Sequence, residues 1–207
     1  MIERRGSEPG SGFRYLEFLP EGEREPAGAV IHLHGIGERG DDLAQVKRFG
    51  LPALVERGAV RLHAALCCPQ LEAGQEWQPE RLLALVAQAK QRYPRIALLG
   101  YSLGGLGVCD LVAQYGAVAD LMVAIAGRCR TETMVPQLGV NFLALQGELD
   151  PWPAMHGFVQ SVGDRGGVAE VVTLPGLGHF ISEEALWQPT LEGRLAAVGM
   201  GIERISG

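Results

Sequence analysis

The stretch "IALLGYSLGGLGV", residues 96–108, holds Ser102 in a Gly-x-Ser-x-Gly pattern, where an apolar run gives way to helical spacing. A serine hydroxyl is a weak nucleophile until a base takes its proton and an acid orients that base. The chemistry to look for is therefore acyl transfer through a serine, a histidine and a carboxylate. Of five histidines, only His179, in "PGLGHF", combines a loop position just past a strand with a place downstream of the other two groups. His32 and His34 lie on "VIHLHG", His63 inside "RLHAAL" and His156 in a helical stretch, positions suited to packed or hydrogen-bonded side chains. Asp150 closes "LALQGELD" at a strand end; Glu148 competes with it, but Asp150 stands nearer the loop apex.

These groups need elements that bring them together. Gly100 and Gly104 flank the serine because side chains there would strike backbone in a sharp turn between a strand and a helix, and Gly105 and Gly107 let that helix approach the sheet. A helix starting at Leu103 aims its N-terminus at the site, so the Leu103 amide and the positive end of the dipole face a developing oxyanion. "AGAVIHLHG", "AVRLHAALCCP", "RIALLGYS", "ADLMVAIAG", "VNFLALQGELD" and "VAEVVTLPG" are short and almost continuously apolar, as strands covered on both faces are. "FRYLEFLP" alternates instead, like an edge or antiparallel strand, after a flexible start.

Helical spacing falls between the strands, over residues 42–56 with an interruption near Gly50 and Pro52, then 79–91, 103–115, 153–162 and 182–205 with a break at Pro189. Such alternation predicts a single α/β domain over residues 1–207. It is a three-layer α/β/α sandwich around a mostly parallel sheet, with the site at the carboxyl ends of the strands.

The chain resembles the α/β-hydrolase superfamily, and within it the small carboxylesterase, phospholipase-like and "predicted peptidase" group related to feruloyl esterases and polyhydroxybutyrate depolymerases. The residues that carry the likeness are "HLHGIGERGDD", "GYSLGG", "GELDPW" and "GLGHF", which together span most of the chain. The resemblance implies an α/β-hydrolase fold, a Ser102–His179–Asp150 triad, and a second oxyanion amide at Ile36, with His34 fixing that loop. The acid loop departs from the D-x-x-V-P of relatives, because Pro-Trp-Pro-Ala follows Asp150. That puts the substrate-side wall in question. Trp152 and Trp77 stand in loops near the expected crevice, each a binding wall or a cover on the core, whereas Trp187 beside Pro189 reads as packing.

Only one helix fits between the last two major strands, which leaves no room for a large cap domain. The cleft should be open and suited to small or short-chain esters; a thioesterase or peptidase on the same triad, or a non-catalytic binding protein on a hydrolase scaffold, are the alternatives. "GIGERG" from Gly35 to Gly40 also satisfies G-x-G-x-x-G, but the next strand ends "AALCCP", with no acid to hold a ribose. Glu38, Arg39, Asp41 and Asp42 read as a solvated loop with a helix cap at Asp42, or as a loop that shapes the pocket. No histidine pairs with another ligand at metal spacing, so neither metal nor cofactor is expected.

With 207 residues, 47% hydrophobic and 20% charged, the chain can bury a substantial core. A net charge of −6 argues against a nucleic-acid surface. No signal peptide or membrane span is visible, which reads as a cytoplasmic protein whose partner is a small-molecule ester and whose four cysteines are buried thiols.

Overall fold

Backbone hydrogen bonding joins eight strands into one twisted sheet in the order β1-β2-β5-β3-β6-β7-β8-β9. The structure is a computed structural model, and it describes residues 1–7, 10–22, 26–130, 139–152 and 155–205. From β5 (Ala65–Gln70) through β3 (Ala29–Leu33), β6 (Ile96–Tyr101), β7 (Leu121–Ile125), β8 (Asn141–Gly147) and β9 (Val168–Leu174) all pairing is parallel. Only β2 (Arg14–Leu19) runs against the other strands of this sheet, pairing antiparallel with both β5 and β1 (Ile2–Ser7).

The strand residues alternate between two cores. Ile31, Leu33, Ile96 and Leu98 pack on one face with α2 (Pro79–Arg92), α3 (Leu103–Tyr115) and α4 (His156–Gly163). Val30, Ala97, Leu99 and Val123 pack on the other with α1 (Gly50–Glu56) and α5 (Pro189–Ala197). This double covering explains the unbroken apolar runs, since a strand with a helix layer on each face has no solvent side. It is a three-layer α/β/α sandwich around a mostly parallel sheet. Between β8 and β9 stands α4 alone among the described residues, with no cap domain between those two strands.

Several expected elements are corrected. Residues 2–7 form a strand that covers the outer side of β2; nearly all its side chains are exposed, so its pairing with β2 rests on backbone hydrogen bonds and it carries no apolar signature. "AVRLHAALCCP" is two strands, because β4 (Val60–Leu62) leaves the main sheet to pair with β10 (Ile202–Arg204). Residues 182–205 are a 3₁₀ turn, α5 and β10, and residues 42–49 hold a 3₁₀ turn in place of the expected helix. The helix expected from Pro153 is described from His156, with residues 153–154 outside the described residues.

The thiols of Cys67, Cys68 and Cys109 are buried and that of Cys129 is half-buried. Burial pushes those of Cys68 and Cys109 well above the usual range. No described helix is long and apolar enough to cross a membrane.

Candidate active site

Ser102 occupies the turn between β6 and α3 with φ 52° and ψ −109°, a conformation that non-glycine residues rarely adopt. The turn closes tightly. A Cβ on Gly100 would lie 2.1 Å from the Gly104 carbonyl oxygen, and one on Gly104 would lie 2.1 Å from the Leu33 carbonyl oxygen. Gly107 serves a different purpose from the one expected, since a Cβ there would meet Trp77 at 2.5 Å and not the sheet.

The Ser102 amide is held by the Ile125 carbonyl at 2.9 Å, so the hydroxyl is the group left to face outward. It lies 2.9 Å from His179 Nε2, and His179 Nδ1 lies 2.8 Å from Asp150 Oδ2. A carboxylate oxygen only accepts, so Nδ1 carries the ring hydrogen and Nε2 is free to take the serine proton. The Asp150 side chain is almost wholly buried and that of His179 is about one-fifth exposed.

Neighbouring contacts fix this arrangement. The other Asp150 oxygen accepts from the Trp152 amide at 3.1 Å, which turns the acid loop back on itself. Leu149 donates to the Leu177 carbonyl at 2.8 Å and Glu148 to the Leu174 carbonyl at 2.9 Å, tying the acid loop to the histidine loop. The Glu148 carboxylate accepts from the Gly176 amide at 2.8 Å. It braces the loop that carries His179, while Asp150 contacts the imidazole. The Tyr101 and Phe180 rings pack 5.9 Å and 5.8 Å from the imidazole, centre to centre. Burial raises the Tyr101 hydroxyl to about 12, which keeps it neutral.

Leu103 opens α3 and Ile36 opens a 3₁₀ turn, Ile36–Glu38. First-turn amides have no carbonyl one turn back to receive them, which leaves them available to an anion. Both residues line a cleft of about 260 Å³ together with Ser102, Leu106, Ala126, Arg128, Trp152 and His179. His34 is fully buried beneath this loop: its Nδ1 is 2.6 Å from the Gly35 carbonyl oxygen, and its Nε2 accepts from the Leu71 amide at 3.0 Å. Burial holds it down to about 4, so it is neutral and structural.

Two expectations for this region are overturned. Trp77 is not a wall of the cleft. It is buried between Phe13, His34 and Gly107, and its indole N–H donates to the His34 carbonyl at 3.1 Å. Glu38 is not solvated either, with 1% of its surface exposed. Its Oε2 accepts from the Gly35 amide at 2.9 Å while Oε1 has no partner, and burial pushes the carboxyl up to about 7. Asp42 does cap the next turn, accepting from the Ala44 amide at 3.0 Å. Arg128 was not singled out from sequence, because an arginine after "AIAG" carries no motif. The "GIGERG" segment opens a three-residue 3₁₀ turn and no helix, so it offers no dinucleotide cradle. Among the described residues no cluster of three or more His, Cys, Asp or Glu side chains is arranged to hold a metal.

A parallel sheet with helices on both faces, a strained serine between β6 and α3, and acid and histidine loops after β8 and β9 decide the architecture. This is the α/β-hydrolase fold. No family model matches the sequence, and no curated protein matches it. Solved structures with the α/β-hydrolase fold do. A thermostable esterase aligns at TM-score 0.66 and 17% identity over 96% of this chain, which spans 62% of the esterase's length. An α/β serine hydrolase without a lid from Xanthomonas campestris aligns at TM-score 0.62 and 15% identity, covering 95% of this chain and 94% of that one. A puromycin-hydrolysing peptidase from Mycobacterium tuberculosis aligns at TM-score 0.65 and 17% identity over 95% of this chain and 39% of its own. At such identities the likeness establishes the α/β-hydrolase fold alone.

Proposed function

We propose that this protein is a serine hydrolase of carboxylic esters with small or short acyl groups. The observation that carries the reading is the unbroken chain of contacts from Ser102 Oγ through His179 to Asp150 at the mouth of the cleft. Ser102 attacks the ester carbonyl carbon as its proton passes to His179 Nε2. Asp150 stabilises the imidazolium, and the amides of Leu103 and Ile36 hold the oxyanion. The tetrahedral species then expels the alcohol, which takes the proton from Nε2 and leaves an acyl-Ser102. Water attacks this acyl-enzyme, giving a proton to Nε2, and Ser102 departs with that proton while the acid is freed.

Cleft size and the absence of a cap between β8 and β9 among the described residues support the small-substrate preference. Thioesters suit the same geometry, and a panel of ester, thioester and peptide substrates ranks the three.

The test uses a fluorophosphonate probe and p-nitrophenyl acetate on the intact chain. Wild type should be labelled and should turn over, while Ser102→Ala should lose labelling and fall on the order of 10⁴-fold or more in kcat. Equal activity in both would refute the nucleophile, and no labelling or turnover in wild type would point to a binding protein on this scaffold.

A further inference from the structure

One wall of the cleft is cationic. Arg128, just past the end of β7, lines it with Ser102 and His179, in a protein whose net charge is −6. Its guanidinium lies 4.6 Å above the Trp152 ring, and among the described residues it makes no salt bridge. Arg130, two residues on, is engaged instead: its guanidinium meets Glu76 at 2.5 Å and Asp110 at 3.4 Å. Stacking on an indole face restrains a guanidinium while leaving its edge donors free, which is the geometry that grips a carboxylate with two parallel hydrogen bonds.

The orientation of a bound ester follows from the proposed reaction. The alcohol takes its proton from His179, so it lies on the imidazole side, next to Phe180, which is 86% exposed. The acyl half takes the remaining wall, formed by Leu103, Leu106, Ala126, Trp152 and Arg128. Four of these are apolar and one is a cation. That combination fits a short methylene chain ending in an anion.

Resting on the serine-hydrolase reading, we propose that the preferred substrates are half-esters of short dicarboxylic acids, in which Arg128 binds the free carboxylate of the acyl group. The reaction is the one already written, with monoalcohol and dicarboxylate as products.

Monoethyl and diethyl succinate differ in that one charge. Wild type should show kcat/KM at least about tenfold higher for the monoester, the factor that about 1.4 kcal/mol of charge-assisted contact supplies. Arg128→Gln should lose this preference while still hydrolysing the diester, and Arg128→Lys should keep part of it. Fluorophosphonate labelling of Ser102 in each variant reports a folded, reactive site. Labelling with equal or inverted preference in wild type, labelling without hydrolysis of the monoester, or an unchanged preference in Arg128→Gln would overturn the substrate class while leaving the serine reading intact. Absence of labelling in wild type would overturn both.

Discussion

Glu38 shows how one buried carboxyl can brace a site and cost stability together. Its Oε2 holds the Gly35 amide, and thereby the loop that presents Ile36, while Oε1 has no partner. Burial raises its pKa from 4.5 to about 7, so the folded chain keeps a proton there that the unfolded chain gives up. The stability this group contributes is therefore full below pH 4.5 and lost as pH rises through 7. Glu38→Gln keeps an acceptor for Gly35 and cannot ionise. Between pH 5 and pH 8 its stability relative to wild type, measured by urea unfolding, should rise on the order of 2–3 kcal/mol. Nothing in "GIGERG" marks Glu38 as buried; its environment comes from the Gly35 backbone, Tyr101 and the Gln70 side chain, which donates to the Glu38 carbonyl at 3.0 Å.

Strands and helices set the approach of the three loops. A Cβ on Gly147, at the end of β8, would lie 2.1 Å from the Gly178 carbonyl oxygen and 2.3 Å from that of Leu177, so only a bare backbone lets the acid and histidine loops meet. Gly147→Ala should force His179 away from Ser102, lowering kcat at least tenfold with an overpacking cost of about 1–3 kcal/mol. Gly178→Ala, where a Cβ has nothing within 4 Å, is the matched control and should leave thermal unfolding near wild type. The same scale explains which elements the sequence revealed. Parallel strands covered on both faces write themselves as apolar runs, whereas β1 and β10 are held by backbone bonds at sheet edges and leave little trace.

For the whole molecule, three buried titratable groups shape the response to acid. Burial lowers His32 from 6.5 to about 3 and His34 to about 4, so the unfolded chain binds two protons near pH 5.5 that the folded chain does not. Glu38 offsets about one of them by holding its own proton when folded. The stability contributed by the histidines is present above pH 6.5 and lost as pH falls toward 3. From these three groups the net difference is about one proton between pH 5 and 5.5, so stability should rise there with pH by about 1.4 kcal/mol per unit, and the slope should fall toward zero near pH 6.5. Urea unfolding across that range measures the slope, and His32→Gln should flatten it.

The residue types and their order by themselves determined the alternating α/β layers, the glycine-flanked serine, and the choice of Asp150 and His179, because backbone sterics and hydrophobic period act locally. Only the tertiary structure decided that Trp77 is core, that Glu38 is buried, and that Arg128 faces the cleft. Burial and electrostatic surroundings arise from residues far apart in the chain, and no local pattern encodes which of them will meet.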